Sequence, residues 1–324
     1  MRPLTKVLLA VLLLLLVSAV GGYFYARKKF EPPLNQLVVT KLPATCTFSW
    51  LADTSAGRIT PHAALLVPVT LPGCPRTCYL QFDTGAPYSA LYAKPMAALQ
   101  RQYPAMRTAI QPTTTSAQNV RFALGQAQVQ AHEMRVLPYG TAQLPDSATL
   151  LVIGTLGTDA LEGRALVLDY ARHRFTLNNI VPDSLARHAA FVPLSFKSRR
   201  LLVEAAIAGE DRQLLFDSGS SAFALLTSES EWHKMAQPAA AVQTTNVNSW
   251  GSTLTSYTTA TAARLQLGST TLPLHTVTYI EGMSWWQQLL MQTSGMSGML
   301  GNEPFAEQLV VLDIRGGRFG VVTK

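Results

Sequence analysis

Two segments of this chain each carry an aspartate at the end of an apolar run, followed by a small hydroxyl residue and a glycine. The first reads Tyr79-Leu80-Gln81-Phe82-Asp83-Thr84-Gly85-Ala86 and the second Leu214-Leu215-Phe216-Asp217-Ser218-Gly219-Ser220. An apolar strand that ends this way lifts one carboxylate out of a sheet on a tight turn, since Asp favours turns and glycine tolerates the backbone they need. Two copies supply two carboxylates. If they share a site, their like charges oppose joint ionisation, and a proton held between them lets one act as base while the other acts as acid.

The residues around the two aspartates repeat as well. Leu65-Leu66-Val67 leads through Val69 and Leu71 to Pro72-Gly73, and Leu201-Leu202-Val203 leads through Ala205 and Ile207 to Ala208-Gly209. Downstream, Phe122-Ala123-Leu124-Gly125 matches Leu265-Gln266-Leu267-Gly268, and Leu151-Val152-Ile153-Gly154 is set against Gly298-Met299-Leu300-Gly301. Last, Ala165–Asp169 with Arg174–Leu177 corresponds to Leu309–Asp313 with Arg318–Val321. These are apolar, β-branched runs of about five to seven residues broken by Gly, Asn and Pro, which predicts an all-β chain with an internal two-fold repeat.

With both motifs and their shared flanks in hand, the chain from about residue 60 to 324 resembles the pepsin-like aspartic peptidases, a bilobal family related to the retroviral enzymes. The resemblance implies a double β-barrel in which each lobe gives one Asp to a common site. Asp83 and Asp217 would be catalytic, activating one water for attack on a peptide bond, with neither metal nor cofactor. Thr84, Gly85, Ser218, Gly219 and Ser220 would support the catalytic loops, the two hydroxyls by bonding across to the opposite loop. The partner would be a polypeptide bound as an extended strand. A non-catalytic peptide- or ligand-binding protein on the same fold is the alternative.

The chain departs from the family pattern in two places. Ala86 stands where pepsins commonly have serine, although retroviral members use alanine. The mobile flap hairpin should fall between Pro112 and Phe122, where the expected turn Ser116-Ala117-Gln118-Asn119 has no aromatic residue. Tyr139-Gly140-Thr141 resembles the flap motif locally but follows the Leu124-Gly125 hairpin.

Composition narrows the other classes. The net charge of +7 is concentrated at the start, where Arg2, Lys6, Arg27, Lys28 and Lys29 precede the first acid, Glu31. The remainder holds 21 basic against 19 acidic residues, which leaves no nucleic-acid footprint. Those cations flank an apolar run from Val7 to Ala26, long enough to cross a bilayer. It reads as one transmembrane anchor, with Tyr23-Phe24-Tyr25 at an interface, or as a signal segment cleaved near Val17-Ser18-Ala19. Either sends the chain to an extracytoplasmic location, membrane-anchored or secreted. Flanking charge does not decide the orientation.

The expected organisation is a membrane segment at 1–30, a tether and lead-in strand at 31–59, a first lobe at 60–180 and a second at 181–324. Cys74 and Cys78 bracket a Pro-Arg-Thr turn and are either a small disulfide loop or free thiols, and their spacing lacks the partners of a zinc site. There is no His-Glu-x-x-His and no Gly-x-Ser-x-Gly. His132 and His275 occupy matching positions, which suggests a shared strand environment. Trp285 and Trp286 read as core, with a pocket lining or a membrane contact as the alternatives.

Overall fold

The computed structural model describes residues 22, 31–53, 60–146, 149–220, 223–249, 252–282 and 296–322. The chain forms two units, 1–34 and 35–324. Of the first, only Gly22 and Glu31–Leu34 are described. The expected membrane span therefore lies outside the described residues apart from Gly22, as do Trp285 and Trp286. Among the described residues no helix is long and apolar enough to cross a membrane.

The second unit is built mainly of strands. The strand that delivers Asp83, Cys78–Phe82, alternates buried and half-buried residues, with Cys78, Leu80 and Phe82 turned into the core. In space it lies between Thr60–Val69 and Val152–Leu156, followed outward by Ala90–Tyr92, Ala127–Leu137, Ser116–Leu124 and Gln111–Pro112. The strand delivering Asp217, Glu210–Phe216, lies between Leu202–Ile207 and Gly298–Leu300, followed by Leu225–Leu226, Thr276–Glu281, Ser252–Ala260 and Gln243–Ser249. Order and sense agree. Each Asp-bearing strand is parallel to its outer neighbour, and that neighbour is antiparallel to the next strand.

The halves meet where Ala165–Asp169 pairs antiparallel with Leu309–Asp313, centred on Val167 opposite Val311. Leu166, Leu168, Val310 and Leu312 are fully buried there. Strands covered on both faces read as continuous apolar runs, which is why Ala165–Asp169 and Leu309–Asp313 lack polar alternation.

The expected lead-in consists of three strands, Leu37–Thr40, Ala44–Thr47 and Ser49–Asp53, each paired within the second unit. Two expectations change. The first-half hairpin turns at Thr113–Ser116, where the Thr113 amide donates to the Ser116 carbonyl, and not at Ser116–Asn119. Only Gln111 and Pro112 pair on its short arm. Its second-half counterpart is far longer, running from Gln243 opposite Thr258 to Ser249 opposite Ser252.

The glycine alignment also shifts by three residues. Gly154 sits beside Leu80 on the Asp83 strand, and its equivalent beside Leu214 on the Asp217 strand is Gly298, not Gly301. A side chain at either would strike a neighbouring strand, at the Ala90 carbonyl or the Leu226 carbonyl. Finally, Cys74 and Cys78 are free thiols beside the Arg76 carbonyl, and Cys46 is free as well. Burial, and then the Cys74 thiol, push Cys78 up to about 12, so it stays protonated at neutral pH.

Candidate active site

The loops after the two Asp-bearing strands interlock. The Thr84 amide donates to Ser218 Oγ at 3.0 Å, and the Ser218 amide donates to Thr84 Oγ1 at 2.8 Å. Each hydroxyl then donates onward across the junction, Thr84 Oγ1 to the Phe216 carbonyl at 2.7 Å and Ser218 Oγ to the Phe82 carbonyl at 3.0 Å. Thr84 and Ser218 are both buried, at 1% and 0% exposure. Shielded by that burial, four satisfied bonds contribute about 1 kcal/mol each, and breaking one would leave a buried donor unsatisfied at larger cost. Serine and threonine suit this role because one oxygen both donates and accepts.

The aspartates are held in the same way on each side. The Asp83 amide donates to the Leu156 carbonyl at 3.1 Å and the Asp217 amide to the Leu300 carbonyl at 2.8 Å. Asp83 Oδ1 accepts from the Gly85 amide at 2.8 Å, and Asp217 Oδ1 accepts from the Gly219 amide at 2.9 Å. Each glycine also faces the opposite carboxylate. A β-carbon on Gly85 would come within 2.7 Å of Asp217 Oδ2, and one on Gly219 would fall on the Asp83 carboxylate. The absence of side chains at 85 and 219 thus lets the two acids approach.

That proximity is felt electrostatically. Burial, and then the charge of Asp217, push the Asp83 carboxyl up to about 7, against the downward pull of the Gly85 amide. Asp217 is buried, at 7% exposure, while Asp83 keeps more solvent contact. Substituting Gly219 with alanine is therefore expected to push Asp83 aside and cut any activity of the pair by about 10²-fold, since displacements near 1 Å have such effects. The check is the initial rate beside a circular dichroism spectrum that stays unchanged.

The structure brings Asp83, Thr84, Gly85, Asp217, Ser218 and Gly219 together. Ser220 lies in the short turn Ser218–Ser220, and its side chain is outside the described ones. His132 and His275 are exposed and take no part.

Sequence reading missed the supports behind each loop. Asp159, 5% exposed, accepts from the Ser89 amide at 2.8 Å, from Ser89 Oγ at 2.7 Å and from the Ala160 amide at 3.0 Å. Ser89 Oγ in turn accepts from the Gly157 amide, and the Thr158 amide donates to the Ala86 carbonyl. This chain of bonds fixes the backbone leaving Asp83. Arg199 reaches in from the second half, donating to the Pro87 carbonyl and to Glu162. Behind Asp217 a different device is used, in which the buried Tyr170 hydroxyl donates to Asn302 Oδ1 and Asn302 Nδ2 donates to the Ser218 carbonyl at 3.1 Å. Position 159 against 89 has no local signature. Only the matching places of Thr158 and Asn302, two residues beyond Leu156 and Leu300, hint at it.

Neither a scan against protein-family models nor a search of curated proteins finds a match to this chain.

Proposed function

We propose that this chain is an aspartic endopeptidase of pepsin-like, bilobal type, in which Asp83 and Asp217 activate one water between them for attack on a peptide carbonyl. The observation that carries the reading is the reciprocal bonding of Thr84 and Ser218, which holds the two Asp-bearing loops against each other in halves of repeated topology. The pair holds a single proton. One carboxylate accepts a proton from the water as it attacks, and the protonated partner donates to the oxygen on which charge develops. The proton belongs to the pair, so neither residue is assigned the acid role alone. Thr84, Gly85, Ser218, Gly219 and Ser220 hold the geometry. The apolar run at 7–26 supports a membrane anchor or signal segment, which would place the two lobes, 60–180 and 181–324, outside the cytoplasm.

A second reading, a peptide-binding protein without turnover, is favoured by one feature. The first-half hairpin at Thr113–Ser116 is short and has no aromatic residue with which to exclude water. The two readings separate when full-length protein in mild detergent is incubated with a mixed peptide library from acid to neutral pH, beside Asp83→Asn and Asp217→Asn. Cleavage abolished in both variants supports the enzyme. Capture of peptides without products from wild type supports the binder.

A further inference from the structure

Beyond Asp83, one face of the first-half sheet carries side chains that the peptide-cleaving reading leaves unused. Cross-strand register sets their direction, because residues paired across neighbouring strands point to the same side. Gln81 pairs with Thr155, Thr155 with Ala90, and Ala90 with Arg135. Tyr92 pairs with Leu137 on that side. The opposite side holds Leu80, Phe82, Leu91 and Val136, all buried in the core. Asp83, two residues beyond Gln81, continues the face that bears Thr155, Tyr92 and Arg135.

Contacts agree with this placement. The Tyr92 hydroxyl lies 2.8 Å from Thr155 Oγ1. Burial raises the Tyr92 phenol above its usual range, the Thr155 hydrogen bond pulls the other way, and the charge of Asp83 adds to the rise. Tyr139 packs edge-on against Tyr92 with ring centroids 5.8 Å apart, and is 57% exposed. Arg135 stacks its guanidinium 4.5 Å from the Tyr88 ring centre and donates to the Tyr88 hydroxyl at 3.3 Å. Among the described residues no carboxylate pairs with Arg135. Glu133, on the same strand, forms no ion pair with it.

We propose that Tyr92, Tyr139 and Arg135 form a substrate-recognition subsite, the tyrosines taking a large apolar or aromatic side chain and Arg135 an acidic one. This rests on the reading of the chain as a peptide-binding, peptide-cleaving protein. An arginine held over an aromatic ring is restrained in position, offers a carboxylate its fork of donors and is less hydrated than lysine would be. Spacing sets the register. Two strand separations of about 4.8 Å put Tyr92 roughly 10 Å from the Asp83 strand, which an extended peptide covers in about three residues. Arg135, one strand further, is about four residues from the bond cut.

The test uses full-length Asp217→Asn, with fluorescein-labelled ten-residue peptides that have an apolar centre. They carry Glu, Gln or Lys four residues from the central bond and Phe or Ala three residues from it, placed on either side in separate peptides. Anisotropy is expected to rank Glu above Lys by about fivefold on one side of the bond, as for a solvent-accessible ion pair, with the preference shrinking in high salt. Adding Arg135→Glu should reverse that ranking, and Tyr139→Ala should abolish the preference for Phe while leaving the preference for Glu. Both side chains are exposed, so neither change disturbs the core. A ranking indifferent to Arg135→Glu overturns the subsite, as does failure of every peptide to bind. Peptides ranked through Arg135 but never cut by wild type would leave the subsite standing and remove the peptidase reading. Peptides cut by wild type with no Arg135 dependence would do the opposite.

Discussion

Replacing Asp217 with asparagine is expected to lower kcat by about 10³-fold or more, within the range attributed to loss of a positioned acid or base. Asparagine keeps the side-chain volume, and its Oδ1 still accepts the Gly219 amide, so the loop geometry survives. What it removes is the shared proton, because an amide neither takes a proton from water nor gives one to an oxyanion near neutral pH. Asp83→Asn should fall as far. Combining the two should add little, since residues that act as a unit lose their function together. Initial rates on the best peptide from the library decide this. Either single variant retaining rates within tenfold of wild type, on contaminant-free protein, would show that the pair does not work jointly.

The second large effect is on pH dependence. Asp83 is held up to about 7 in the folded chain by burial and then by the Asp217 charge, whereas an unfolded aspartate titrates near 3.9. Between those values the folded chain carries a proton that the unfolded chain has lost. Stability therefore falls as pH rises through that window, and above about 7 the full burden of the buried charge remains. Asp83→Asn removes this burden, so its stability relative to wild type should improve from pH 4 to pH 8. The gain is on the order of 2 kcal/mol, solvent at this partly exposed carboxyl screening the rest. Urea unfolding at the two pH values measures it. A difference between variant and wild type that is the same at both would contradict the assigned environment. For the rate, loss of the shared proton should impose a falling limb as pH rises through about 7, and a second proton on the pair should impose the acid limb.

Much of the site was legible because its signals are local. The apolar-Asp-hydroxyl-Gly string needs only adjacent residues, and its repetition at 83 and 217 exposed the two-fold order of strands that the pairings display. The paired runs Ala165–Asp169 and Leu309–Asp313 were visible for the same reason. The glycine correspondence was not, because apolar-apolar-Gly or a close variant occurs twice within three residues in each half, at Gly154 and Gly157 and again at Gly298 and Gly301. Only strand register chooses between them. Asp159 serves Ser89 across seventy positions, and Asn302 serves Ser218 across 84, spacings that carry no periodic or motif signal. Hairpin length was equally hidden, since Gln243–Ala260 is a polar, threonine-rich stretch whose pairing depends on its partners and not on a hydrophobic stripe.

The joint action of the two carboxylates is tested most directly with a peptide in which a tetrahedral hydroxyl-bearing carbon replaces the carbonyl of the best cleavage site. A group shaped like the tetrahedral intermediate should bind wild type at least 10²-fold more tightly than the matching carbonyl peptide binds catalytically silent protein. Isothermal titration calorimetry should show that advantage vanish in both Asp83→Asn and Asp217→Asn. Affinity of wild type for the hydroxyl peptide no better than that of silent protein for the carbonyl peptide, or an advantage that survives in either variant, would contradict a water held between Asp83 and Asp217.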